Sequence, residues 1–249
     1  MLTVDVVTIF PRMLEAPLAE GIVQRATARG LARIAVHDLR DFTDDRHRTV
    51  DDAPFGGGPG MVMKAEPFFR AVDTLLPNGP AAKDAVVLLS PRGRRFEQAA
   101  AERLSKMDRL VLLCGRYEGI DERVASVATE ELSLGDFVLT GGEVAALAVI
   151  EATVRLLPEA LGDEGSAAAD SFAEGILDHP HYTRPAVVRG RGIPEVLLSG
   201  DHERIRRWRR KEALRATRER RPELLRGARL GPEDESLLRE LAEEERVIA

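Results

Sequence analysis

Three apolar runs of the chain end in glycine-bearing turns, and these turns are the first candidates for a ligand site. The runs are VVLLSPRG (86–93), RLVLLCGRYEG (109–119) and GDFVLTGGE (135–143). In open parallel sheets ligands bind outside the carboxyl ends of the strands, and glycine lets backbone approach a ligand closely. Any one of them could be an ordinary turn, but the three together predict one pocket. No phosphate-binding loop and no dinucleotide fingerprint is present, which favours a ligand with an adenosine part but no phosphate.

Two further segments carry candidate binding residues. Asp178, His179 and His181 form a DHPH cluster. We predict no metal site there, because the i, i+2 histidine spacing lacks further companions in the sequence. Stacking or hydrogen bonding by His181 and Tyr182 is the favoured role. The loop FGGGPGM (55–61) is either a flexible connector or a segment that presses its backbone against a flat base.

A basic stripe lies near the end of the chain. Ten lysine and arginine residues and only three acidic ones lie between Glu203 and Arg221, which gives the segment a charge of +7 in a chain of net charge −6. Arginine dominates the stripe, its planar guanidinium suits phosphate, and Trp208 lies among the cations. The stripe is either a solvated helix face or a localised polyanion contact, and we favour nucleic acid.

Alternating strands and helices must position these residues over the first 160 positions. Phe96, Ala100, Leu104 and Met107 follow helical spacing, and so do residues 18–26, with Gly30 placed to end that helix. This alternation predicts an α/β fold with a largely parallel sheet. The predicted strands are Leu2–Val7, Arg33–His37, Val86–Leu89, Arg109–Leu113 and Phe137–Leu139.

The rest of the chain predicts a different organisation. Residues 142–157 are apolar on nearly every helix face, so this helix must be buried in a core or a subunit interface. We place a first domain at 1–160, a flexible linker at 161–175 and a helical domain at 176–249. In that last domain we predict helices at 201–221, capped by Asp201 and anchored by Ile205 and Trp208, and at 233–246.

Composition limits the protein's class. The chain has 249 residues, of which 44% are hydrophobic, enough for a core. No run approaches the ~20 apolar residues of a membrane helix, so no membrane is expected. The first residues lack the features of a secretory signal, and Cys114 is the single cysteine. A reducing, cytoplasmic setting fits, with Cys114 as a small buried hydrophobe.

Several long motifs resemble the bacterial tRNA (guanine-N1)-methyltransferase family, TrmD, of the SPOUT class. They are LCGRYEGIDERV, LSLGDFVLTGGE, RHRTVDDAPFGGGPGM, DSFAEGILDHPHYTRPAV and SGDHERIRRWRRKEAL, and the match runs from about Leu2 to Leu225. The resemblance implies a Rossmann-like sheet with a deep trefoil knot, a bent S-adenosyl-L-methionine cofactor in that knot, and a homodimer with active sites at the subunit interface. The implied substrate is the guanine immediately 3′ of the tRNA anticodon. Whether Mg²⁺ takes part stays open.

Site residues follow from the same resemblance. In this family tyrosine is frequent where the chain has Phe137, so a side-chain hydrogen bond there is in doubt, although a backbone contact is not. The expected cofactor-binding residues are Pro91, Gly93, Gly115, Tyr117, Glu118, Ser133, Leu134, Gly135, Asp136, Phe137, Val138, Leu139, Gly141 and Gly142. The expected tRNA contacts are Gly58, Gly60, His181, Tyr182, Arg184, Arg207 and Arg210.

The resemblance assigns catalysis to Asp170 and Arg155. Guanine N1 carries a proton, so a base must remove it before N1 can attack a methyl sulfonium, and negative charge then develops towards O6. Asp170 would be that base, and Arg155 would stabilise the charge. Without the resemblance, Asp170 could be a helix cap and Arg155 the partner of Glu151 in an i,i+4 ion pair.

Three other functions compete with this interpretation. A non-catalytic RNA-binding factor fits the basic stripe but leaves the glycine turns without a purpose. A SPOUT methyltransferase acting on another RNA differs only on the substrate side. A nucleotide-dependent hydrolase or oxidoreductase is disfavoured by the absent phosphate loops.

Overall fold

The computed structural model describes residues 1–162 and 170–248. The chain divides into two compact units, Met1–Asp163 and Glu164–Ala249. Much of the expected linker, 163–169, lies outside the described residues. No helix in the described ranges is long and apolar enough to cross a membrane.

The described part of the first unit is built on a five-stranded parallel sheet. The strand order is β2-β1-β6-β5-β7, and β3 and β4 form a separate antiparallel pair. The predicted α/β fold is confirmed at this level, since four of the predicted strands lie in β1, β2, β5 and β6. The strands are β1 (Leu2–Thr8), β2 (Ala32–Asp38), β3 (Asp51–Asp52), β4 (Val62–Met63), β5 (Asp84–Arg95), β6 (Arg109–Cys114) and β7 (Glu130–Ser133). The helices are α1 (Arg12–Leu18), α2 (Gly21–Ala28), α3 (Ala65–Leu75), α4 (Gln98–Leu104) and α5 (Glu143–Val154).

Helices cover both faces of the sheet. Val4 and Leu112 belong to a core shared with α1, α2, α4 and α5. Val7 and Val111, which alternate with them along β1 and β6, pack into a second core with α3. Strands that are buried on both faces consist of nearly continuous apolar runs, so these strands could be predicted from the sequence.

The predicted strand Phe137–Leu139 is wrong. The fifth strand is β7, which ends at Ser133; the Gly135 N–H then donates to the Ser133 hydroxyl at 3.2 Å, and Gly135 turns the chain at φ +153°. Phe137 is 54% and Val138 is 85% exposed. These apolar side chains favour a strand by type, but they lie on a loop beyond the sheet.

Two helix predictions need adjustment. The predicted helix over residues 18–26 is divided, because Glu20 is extended between α1 and α2. Gly30, at φ +70°, follows the end of α2 as expected. The all-apolar helix is α5, in which Val149 is fully buried while Val144 is 49% exposed.

The second unit contains a small hairpin and two long helices. They are β8 (Val187–Val188), β9 (Arg191–Gly192), α6 (His202–Arg220) and α7 (Pro232–Ile248). The Asp201 side chain accepts a hydrogen bond from the Arg204 N–H, so the predicted cap is confirmed. The predicted anchors Ile205 and Trp208 are wrong, because both are only half-buried. The helix packs through a later turn instead, in a core of Ile176, Ala213, Leu214, Leu237 and Leu241.

Candidate functional site

A cavity of about 1460 Å³ lies at the carboxyl ends of β5, β6 and β7. The three glycine-bearing segments of the sequence converge on it, as expected from their positions after apolar runs. Of the expected cofactor-binding residues, the structure places the following in its wall: Pro91, Gly115, Tyr117, Glu118, Ser133, Leu134, Phe137, Val138, Leu139, Gly141 and Gly142. Gly93, Gly135 and Asp136 lie outside the wall.

Gly93 does not line the cavity but packs against the backbone of β7 beside it. The pairing of β5 with β7 shifts register between Leu89 and Arg94, so residues 90–93 bulge out while β5 continues. A Cβ atom on Gly93 would lie 2.4 Å from the Leu132 backbone nitrogen. Glycine is therefore required for this bulge to pack against β7, and the first predicted turn is an irregularity within a strand.

The second and third segments touch each other. The Gly142 N–H donates to the Gly115 carbonyl at 2.9 Å. A Cβ on Gly142 would lie 2.8 Å from the Cys114 Cα atom. Cys114 is buried, as expected, and desolvation raises the pKa of its thiol. This contact fixes one end of the cavity by backbone alone.

A buried ion pair holds the same two segments together, and sequence reasoning missed it. The guanidinium of Arg116 lies 2.9 Å from an oxygen of Glu143, and their side chains are 13% and 1% exposed. The Thr8 hydroxyl donates to the other Glu143 oxygen at 2.6 Å. Arg116 also stacks on the ring of Phe10, 4.6 Å from its centroid. The available signal was the position of both charges beside glycines in the turns.

The wall combines an apolar side with backbone groups and a carboxylate. Leu88, Leu134 and Leu139 give it an apolar side, and the backbone of its glycine turns is close to the space. The carboxylate of Glu131 also lines it, and its Oε1 atom is buried without a hydrogen-bond partner among the described residues. The Arg92 guanidinium forms a long ion pair with this atom, at 3.8 Å. A buried carboxylate oxygen in this state favours a positively charged ligand.

The glycine-rich loop lies at the same cavity. Gly58, at φ +124°, has open space where a side chain would be. Gly60, at φ +79°, packs against the Glu118 side chain. Phe55 lines the cavity and is fully exposed. Phe55 is thus an aromatic ring in the wall of the cavity, and Gly58 and Gly60 lie outside that wall.

The two expected catalytic residues belong to different units. Arg155, half-buried, is the residue that follows α5. Asp170 is the first described residue of the second unit, and its carbonyl accepts from the Ala173 N–H at 3.2 Å. Asp170 therefore begins a turn and does not cap an α-helix.

The expected tRNA-contact residues of the second unit fall into two groups. His181, Tyr182 and Arg184 are exposed. Arg207 and Arg210, on α6, are engaged by acidic residues: Arg207 pairs with Glu240 of α7, and Arg210 pairs with Glu174 and with Asp234 of α7.

Most of the remaining paired cations of α6 also face α7. Arg206, Lys211 and Arg215 each pair with an acidic residue of that helix. Arg204 and Arg209 are exposed, and among the described residues no side-chain ion pair is formed by either. The basic stripe is thus partly neutralised within its own unit.

Comparison with known proteins agrees with the motifs. The family model described as tRNA (Guanine-1)-methyltransferase TrmD matches residues 2–227. A protein named tRNA (guanine-N(1)-)-methyltransferase from Dictyoglomus turgidum is 53% identical over 244 residues, which is 98% of each chain. A protein of the same name from Anaeromyxobacter sp. is 54% identical, in an alignment that covers 95% of this chain and 96% of that protein. Another, from Geobacter metallireducens, is 52% identical, and the alignment covers 96% of this chain and 97% of that protein.

Proposed function

The chain belongs to the tRNA (guanine-1)-methyltransferase family, and from that premise we propose that it methylates N1 of the guanine immediately 3′ of the tRNA anticodon. The observation that carries the proposal is the cavity at the carboxyl ends of β5, β6 and β7, where three glycine-bearing segments meet. S-adenosyl-L-methionine, bound there, supplies a methyl group on a positively charged sulfur.

The residues of the cavity suit that cofactor. Leu134 and Leu139 offer apolar contact to an adenine ring, and the backbone of residues 115–118 offers hydrogen-bonding groups. The Glu131 carboxylate in the wall, whose Oε1 atom has no hydrogen-bond partner among the described residues, favours a cationic group. We also propose that the chain between β7 and α5 forms the trefoil knot; the contact of Gly142 with the end of β6 supports it.

Two residues would perform the chemistry. Asp170 accepts the N1 proton of guanine, which frees the N1 lone pair for methyl transfer. Arg155 stabilises the negative charge that develops towards O6, a preorganised electrostatic contribution of about 3–4 kcal/mol in well-studied enzymes. An aspartate in water is a weak base, so we expect its pKa to rise when bound tRNA excludes water from it.

The remaining assignments concern organisation. We propose a cofactor domain at 1–160, a linker at 161–175 that orders on tRNA binding, and a tRNA-binding domain at 176–249. We propose a cytoplasmic homodimer with the active sites at its interface. The half-exposed apolar side chains Met13 and Val144 support an interface on the first unit.

The test is methyl transfer to two unmodified tRNA transcripts that differ only in guanine or adenine 3′ of the anticodon. Mass spectrometry of the digested RNA should show 1-methylguanosine from the first transcript alone. Methylation of neither, with the cofactor still bound, would redirect the proposal to another RNA. A chain that binds no cofactor would overturn the enzymatic function.

The general base has its own test. Asp170→Ala should leave cofactor binding by calorimetry intact and slow the single-turnover step by at least ~10²-fold. The matched control is Asp163→Ala, which changes a carboxylate in the same expected linker. Near-normal single-turnover rates for Asp170→Ala would refute the assigned role.

A further inference from the structure

Asp178, His179 and His181 form a compact cluster in the second unit. His179 precedes Pro180, which favours extended backbone there, and in an extended segment residues i and i+2 lie on one side. The two imidazole rings accordingly lie 4.3 Å apart, centroid to centroid. One donor atom from each of the three residues lies within 4.8 Å of the others.

The carboxylate lies within 4 Å of a ring nitrogen of each imidazole. Nε2 of His181 lies 2.8 Å from Oδ2 of Asp178, a hydrogen-bond distance. Nε2 of His179 lies 3.8 Å from Oδ1 of the same carboxylate, which is too long for a hydrogen bond. The two histidines therefore contact the carboxylate differently: His181 through its ring, and His179 through its backbone N–H, which donates to Oδ1 at 2.6 Å.

The tautomer of His179 follows from its other ring nitrogen. Nδ1 lies 3.1 Å from the carbonyl oxygen of Pro180. A carbonyl only accepts, so in the neutral ring this contact places the proton on Nδ1 and leaves the Nε2 lone pair for a ligand. Nε2 of His179 and Oδ1 of Asp178, which also accepts from the His179 backbone N–H, lie 3.8 Å apart, and both can bind one cation. A histidine that donates its second ring N–H to a backbone carbonyl is also the usual support of a metal ligand.

We propose that these three residues bind a divalent transition-metal ion of the Zn²⁺ class. Two imidazole nitrogens and one carboxylate oxygen are a ligand set that suits zinc. Coordination uses the Nε2 lone pair of His181, so its proton moves to Nδ1 and its hydrogen bond to Asp178 is exchanged for bonds to the ion. The sequence predicted no metal site here for lack of further companions; the structure brings one donor atom of each of the three residues within 4.8 Å of the others.

The surroundings leave room for an ion. His181 is 70% exposed, so the remaining coordination positions of a bound ion are open to water on that side. The ring of His179 also packs near the ring of Trp208, with 6.5 Å between their centroids. All three ligands belong to the second unit, and metal binding is measured separately from methyl transfer.

Titration of the full chain with zinc chloride tests the proposal. The protein, without an affinity tag, is treated with chelator, dialysed and followed by calorimetry, and Co²⁺ absorption reports the ligand geometry. We expect one saturable site. His179→Ala and His181→Ala should each weaken it by at least ~10-fold.

Two other histidines provide matched controls. His47→Ala and His202→Ala remove exposed imidazoles outside the cluster and should leave the affinity unchanged. Circular dichroism would confirm that the variants are folded. Absence of a saturable site in the unchanged chain, or equal affinity in cluster and control variants, would overturn the proposal.

Discussion

The buried pair of Arg116 and Glu143 offers the most direct test of how the cavity is held. Glu143→Ala would leave a guanidinium that is 13% exposed without its carboxylate, and the Thr8 hydroxyl without its acceptor. Removing one partner of a buried pair costs about 3–5 kcal/mol, because the other charge stays buried and uncompensated. The loss in free energy of unfolding should affect the first unit, because this network joins β1, the end of β6 and α5.

The expected thermal shift follows from size. For a domain of this length each kcal/mol moves the unfolding midpoint by about 2–4 °C, so the variant should melt about 6–20 °C lower. Scanning calorimetry measures the midpoint, and isothermal calorimetry on the same sample measures cofactor affinity. We expect that affinity to fall at a temperature where the variant is still folded, because the pair fixes two cavity segments.

A surface pair is the matched control. Arg123 lies 2.7 Å from Asp121 but is 72% exposed. Arg123→Ala should leave the midpoint where it is, because solvent screens such a pair. The reasoning would be refuted if Glu143→Ala melted within about 2 °C of the unchanged chain, or if the control destabilised it equally.

Three further predictions concern charge and burial. The pKa of Asp5 is lowered, because hydrogen bonds from His37 and Arg109 outweigh the opposing effect of burial. The ionised Asp5 carboxylate therefore stabilises the folded chain fully above the ordinary pKa of 3.8, and this stabilisation is lost as pH falls through the lower pKa of the folded state. In urea titrations, the difference in free energy of unfolding between the unchanged chain and Asp5→Asn should therefore narrow only at acidic pH. Arg209→Ala should lower the slope of the logarithm of the tRNA binding constant against the logarithm of salt concentration by roughly one unit. Arg207→Ala should lower it by less, because Arg207 is already paired with Glu240. Equal slopes for the two variants would contradict this prediction. Cys114 should react with a thiol reagent only on unfolding, since burial raises its pKa, and labelling of the native chain would show otherwise.

The sequence predicted the parts of the fold whose physical cause is local. β1, β5 and β6 each contain a nearly continuous apolar run, and a strand covered on both faces needs that composition. Phe137 and Val138 carry the same kind of side chain but lie on an exposed loop. The type of a side chain indicates that it fits a pleated sheet surface, but it does not indicate whether a neighbouring strand is present to form hydrogen bonds.

The cavity was predictable from its glycines, and its support was not. Turns after apolar runs meet at one edge of a parallel sheet, so their convergence follows from the α/β pattern. The contact between Arg116 and Glu143 joins residues 27 positions apart, and charged residues are rarely fully buried. Their positions beside Gly115 and Gly142 are the one local sign in the sequence, and that sign does not show that the two side chains meet.

Charge pairing between α6 and α7 limits how the second unit can attract a polyanion. Seven acidic residues and two arginines lie in the sequence of α7, beside a helix whose cations they engage. The field of adjacent opposite charges falls off faster with distance than the field of cations alone. A long-range increase in encounter rate with RNA should therefore be small. Selection of the correct tRNA would depend on how slowly a matching complex dissociates, and not on how often the partners collide.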